Sequence, residues 1–108
     1  MNNAWQLAVV DYSLCLNRFS HLPKFKKCVM QTMKNEDALR DGDIVYVVNV
    51  TREKCDFGEM NIYDKAKLWI PSTSRYGYAM LWLLHPILTH KDIIDMELKF
   101  NIKLDDYV

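Results

Sequence analysis

The run Asp43-Ile44-Val45-Tyr46-Val47-Val48-Asn49-Val50-Thr51 decides the fold class of this chain. β-branched and aromatic side chains fill it, and it is too short to make a persuasive helix. It reads as a well-buried strand over about 43–51, entered through an Asp41-Gly42 turn. Beyond it, Arg52 to Gly58 forms a charged connection. From Glu59 onward, Met60, Ile62, Ala66, Leu68 and Ile70 share one parity, broken by Asp64, and predict a strand over about 59–70 that ends at Pro71. Trp69 has the parity of Lys65 and Lys67, opposite Leu68 and Ile70.

Upstream of that run the period changes. Trp5, Val9, Tyr12, Leu16 and Phe19 recur at three- or four-residue spacing and predict helical structure over about 4–18, although Val9-Val10 pulls locally toward a strand. Ser20 can cap a second helix over about 21–35, with Pro23 in its first turn and Leu22, Phe25, Val29 and Met33 on one face. Downstream, Ser72-Thr73-Ser74 offers a turn and a cap. Tyr76 to His85 fits either period, and its Ala, Met and Leu content favours a helix over about 74–85. Thr89 and Asp92 have the spacing of a capping box, which gives one short helical turn over Thr89 to Asp95. Met96, Leu98, Phe100, Ile102 and Leu104 alternate with Glu97, Lys99, Asn101 and Lys103, and predict a strand over about 96–104. The expected architecture is a single compact α+β domain over 1–108. Its helical N-terminal third packs on a small, mostly antiparallel β-sheet.

Composition narrows the class of protein. The 108 residues are 50% hydrophobic and 26% charged, with 3 Gly and 3 Pro, which excludes a disordered or collagen-like chain. No apolar stretch approaches the ~20 residues of a membrane helix, and no basic region precedes the first apolar residues, so neither membrane insertion nor secretion is expected. Cys15, Cys28 and Cys55 form no CxxC pair and cannot all pair in one monomer, which points to a reducing, cytoplasmic setting. The Asn49-Val50-Thr51 sequon carries little weight there.

Charge sums to zero but is segregated. Residues 1–34 hold Arg18, Lys24, Lys26, Lys27 and Lys34 against Asp11 alone, so the acidic excess lies in the remainder. Arg18, Lys24, Lys27 and Lys34 could line up phosphate contacts, although lysines solvating an amphipathic helix are commonplace. Glu36, Asp37, Asp41 and Asp43 cluster in a connection and read as a solvated loop rather than as metal ligands. His21, His85 and His90 offer no close ligand pair, so neither a metal nor a cofactor is expected. Cys15 and Cys28 read as buried structural thiols, and Cys55, in a charged connection, as the reactive one.

Thr73-Ser74-Arg75-Tyr76-Gly77-Tyr78 is the most site-like string, with hydroxyls, a guanidinium and two phenols close together. Tyr, Trp and Arg are enriched among the side chains that dominate interface energy. Trp69, Arg75, Tyr76 and Tyr78 are therefore the expected protein-binding residues. The favoured reading is a non-catalytic binding or regulatory protein, an inhibitor or adaptor, with a protein partner or a homodimer. The alternative is a small nucleic-acid-binding protein that uses the lysine-rich helix. A small hydrolase or nuclease around Arg75, a carboxylate and a histidine ranks third.

Overall fold

The computed structural model describes residues 5–14, 39–54 and 62–108. Their elements run β1 (Gln6–Val10), β2 (Ile44–Lys54), β3 (Ile62–Ile70), β4 (Arg75–Met80), a 3-10 turn (Leu81–Leu83), β5 (Leu84–Pro86) and α1 (His90–Phe100). The five strands form one antiparallel sheet in the order β4-β3-β2-β1-β5. β1 to β4 are neighbours in chain order, and β5 returns to pair with the free side of β1. The result is an α+β fold with one C-terminal helix on a five-stranded sheet.

This arrangement corrects the helical N-terminal third. Leu7, Ala8, Val9 and Val10 are a strand, and all four are buried. Ala8 and Val10 face one cluster with Val45, Ala66, Leu68, Ile70, Ala79 and Leu83, while Val9 faces another with Met96 and Leu104. A central strand covered on both faces reads as an unbroken apolar run, which imitates one stripe of a helix. The rest of the 4–18 helix beyond Leu14, and all of the 21–35 helix, lie outside the described residues.

The strand expected over 96–104 is also corrected. Thr89 accepts from the Asp92 amide at 3.2 Å, and the Asp92 carboxylate accepts from the Thr89 amide at 3.0 Å. That capping box starts an eleven-residue helix instead of a single turn, and Asn101 ends it in the left-handed region at φ 53°. Inside it, Ile93, Met96 and Phe100 point toward the sheet at helical spacing, while Leu98 is 79% exposed. Ile102 and Leu104 then pack against the same cluster from the irregular tail. The perfect alternation arose from two segments of different structure placed end to end.

The 74–85 helix is replaced by β4, the 3-10 turn and β5. Pro71 to Ser74 form the β3–β4 turn, with the Thr73 amide donating to the Ile70 carbonyl at 3.2 Å and Ser74 at φ 52°. Within β4, Gly77 and Ala79 are buried while Tyr76 and Tyr78 are exposed, the period of a strand. The 3-10 turn then carries Leu83 into the main cluster against β3, so Leu81 to Leu84 is continuously apolar without being α-helical.

Candidate binding surface

The two faces of the sheet are finished differently. The face bearing Ala8, Val10, Val45, Ala66, Leu68 and Ile70 is core. On the opposite face, α1 covers Val9 at the β1 end. Toward β4 the same face carries Asn49, Thr51, Lys65, Lys67, Trp69, Tyr76 and Tyr78. The register brings them together: Tyr46 is paired with Trp69 and Trp69 with Tyr76, while Asn49 is paired with Lys67 and Lys67 with Tyr78. A register shift between Val47 and Asn49 skips Val48. Such a bulge resets which side chains face the site: without it, Asn49 and Thr51 would keep the parity of the core residues Val45 and Val47.

Aromatic rings and ammonium groups alternate along this surface. Trp69 and Tyr76 meet edge to face with centroids 5.0 Å apart. The Lys67 Nζ lies 4.7 Å from the Tyr76 ring centroid, and the Lys65 Nζ lies 4.5 Å from that of Tyr78. Tyr76 is 50% exposed and Tyr78 39%, whereas Trp69 is half-buried. Beside the lysines lies an open depression of about 300 Å³ lined by Asn49, Thr51, Glu53, Lys65, Lys67 and Tyr78. The Thr51 hydroxyl reaches Glu53 at 3.4 Å, which sets one carboxylate among the cations. Such a surface can offer cations, amide and hydroxyl hydrogen bonds, and flat apolar rings to a ligand.

Trp69, Tyr76 and Tyr78 thus share one surface. Arg75 is exposed at the first position of β4, paired with Ile70, and has the parity of Gly77 and Ala79 on the other face. Arg18, Lys24, Lys27 and Lys34 lie outside the described residues, as do Cys15, Cys28, Cys55 and His21. Sequence reasoning missed Asn49, Thr51, Glu53, Lys65 and Lys67 as site residues. For the two lysines the signal was present, since they share the parity of Trp69. Reading β4 as a helix removed the tyrosines that complete the surface.

Other polar groups serve the fold. Asp11 is 2% exposed, and the Lys99 ammonium donates to it at 2.6 Å, tying α1 to the end of β1. The Ser13 hydroxyl donates to Asp11 at 2.6 Å and accepts from Lys99 at 2.8 Å. Burial pushes the Asp11 carboxyl up, but the bonds from Lys99 and Ser13 and the Lys99 charge outweigh it and hold it below its ordinary value. An ammonium held by a carboxylate cannot take a proton from Ser13, so this trio is not a nucleophile with its base. His85 Nε2 lies 3.2 Å from Asp92, whose carboxylate also accepts from the Leu88 amide. Asp41 accepts from the Tyr12 amide and Asp43 from the Arg40 amide, which makes both of them turn-builders. Among the described residues no three His, Cys, Asp or Glu side chains are grouped to hold a metal, and no helix is long and apolar enough to cross a membrane. Comparison with protein-family models, curated proteins and solved structures finds no match to this chain.

Proposed function

We propose that this is a non-catalytic binding protein, an inhibitor or adaptor, that engages a protein partner in an intracellular setting through the β2–β3–β4 face. The observation that carries this reading is the Trp69–Tyr76 pair at 5.0 Å, continued by Lys67 and Lys65 over the two tyrosine rings. Large rings held by their neighbours lose little freedom on binding, so contact area comes at low entropic cost. The half-burial of Trp69 supports a role as the fixed base of the surface, with Tyr76 and Tyr78 as the side chains that meet the partner. The cysteine pattern supports the intracellular assignment.

Selection from a displayed peptide library tests the reading. The wild-type chain is expected to enrich sequences that a Tyr76→Ala/Tyr78→Ala double variant does not retain. The variant gives up the Trp69–Tyr76 pair and two ammonium–ring contacts, so it should lose about 1–3 kcal/mol and still unfold cooperatively in urea melts. Equal enrichment by the two proteins would overturn the assignment of this face.

A further inference from the structure

The placement of charge on the β2–β3–β4 face bears on the chemistry of the partner. Arg52 and Asp64 lie on the same side of the sheet as Ala66 and Leu68, and they satisfy one another at 3.5 Å. Lys65 and Lys67 lie on the opposite side, and among the described residues neither is paired with a carboxylate. Each ammonium rests on a tyrosine ring instead, Lys65 at 4.5 Å from the Tyr78 centroid and Lys67 at 4.7 Å from that of Tyr76. A ring face attracts a cation without neutralising it. Both charges are therefore held in place and still attract an anion. Ordering a long side chain is one of the costs of association, and the ring contacts lower it here.

The spacing of the two cations suits a run of protein chain. Two residues along β3 span about 6.8 Å. Acidic side chains four apart on a helix repeat at about 6 Å, and those two apart on a strand at about 6.8 Å. One short segment thus reaches both ammonium groups. Tyr76, 50% exposed, screens one side of the Lys67 charge from water and strengthens an ion pair made there. Glu53 lines the depression beside the lysines. It repels a continuous polyanion and admits separate carboxylates set among neutral residues.

We infer that the partner meets this face with a pair of Asp or Glu side chains, one on Lys65 and one on Lys67, flanked by neutral residues. This inference rests on the proposed protein-binding role of the face. Single-stranded nucleic acid is the competing occupant, because tyrosines and lysines on a sheet also suit bases and phosphates. Glu53 disfavours it, and so does the ammonium group already seated on each ring.

The displayed library that tests the face tests this inference too, when panned in parallel on the wild type, on Lys65→Gln/Lys67→Gln and on Lys65→Glu/Lys67→Glu. Wild-type clones are expected to carry paired Asp or Glu, and the double glutamate variant should select paired Lys or Arg. That reversal requires a folded chain, so it separates lost charge from lost structure. In fluorescence anisotropy the leading wild-type peptide should bind the double glutamine variant about tenfold more weakly, and its affinity for the wild type should fall as salt rises. An oligothymidylate should not displace it. Face-dependent clones with no acidic excess would overturn the inference and leave the binding role standing. Affinity that the glutamine substitutions change by less than about twofold would overturn it as well, as would preferential capture of the oligothymidylate. If no clone depends on the face, both the inference and the binding role fail.

Discussion

Gly42 shows how much can depend on a missing side chain. It sits at φ +83°, its amide donates to the Val10 carbonyl at 2.8 Å, and a Cβ there would stand 3.0 Å from the Phe100 Cβ. The turn into β2 and the seat of α1 thus meet at one hydrogen atom. Gly42→Ala is expected to lower stability by about 1–3 kcal/mol, through the strained dihedral and the displaced ring together, as read from urea midpoints at constant slope. Among the described residues, two carboxyls couple the same fold to acid. Asp11 is held below its ordinary value of 3.8, and Asp92 is pulled down to about 2 by the Leu88 amide, by His85 and by Thr89. Groups depressed in the folded state bind protons more readily when unfolded, so their stabilisation is full above 3.8 and is lost as pH falls from there toward about 2. Urea midpoints of the wild type should decline across that window, and those of Asp92→Asn should decline less steeply. An unchanged acid limb in the variant would remove Asp92 from the account.

The C-terminal helix marks the scale at which residue patterns become ambiguous. Met96, Leu98 and Phe100 fit a strand by alternation, and Ile93, Met96 and Phe100 fit a helix by three- and four-residue spacing. Only the capping residues break the tie, because Thr89 and Asp92 satisfy amides that a strand would not leave orphaned. Two substitutions distinguish the periods. Met96→Ala should cost about 2–5 kcal/mol, since that side chain is buried, and Leu98→Ala should stay within about 0.5 kcal/mol. A strand would have made the two losses comparable. Thr89→Ala should cost about 1 kcal/mol and lower helical circular dichroism, by loss of the cap alone. In β4 the same ambiguity was settled by tertiary packing. Ala79 and Met80 are good helix formers, but Gly77 and Ala79 are buried in register with Leu68 and Ala66 of β3, and that pairing fixes the strand.

Across the whole molecule, legibility followed the depth of burial and the number of neighbours. The β2 run was readable from its β-branched residues, although Asn49, Val50 and Thr51 are exposed and not buried as expected, and the parity of Leu68 and Ile70 was readable because both face one cluster. β1 was not, because its environment is assembled from distant chain: Leu7 is paired with Tyr46, Ala8 with Val45, and Val9 with His85. The candidate surface was half legible for the same reason. Trp69, Lys65 and Lys67 sit on one strand, whereas Tyr76 and Tyr78 join them only once β4 folds back as a hairpin. β5 is short, yet it supplies the second side of β1, and the Ile87 amide adds a bond to the Leu7 carbonyl at 2.9 Å. A chain ended after Leu83 should therefore lose cooperative unfolding altogether, in melts followed by circular dichroism and tryptophan emission. A sharp transition in that truncated chain would show that β1 needs only its β2 partner.

The double pairing of β1 also fixes an order of events during synthesis. Residues 6–10 leave the ribosome early, and their last partners, residues 84–86, are made roughly 75 residues later, several seconds on at about 5–20 residues per second. Until residues 44–47 are made a nascent chain carries Leu-Ala-Val-Val with both sides unpaired, and from then until residues 84–86 with one, a segment of the kind that other growing chains on the same message could capture. Among the described strands, the one made first is the last to be completed. Slow codons between β2 and β5 would prolong this exposure, and the yield of folded protein should follow the time spent there rather than the stability of the finished fold.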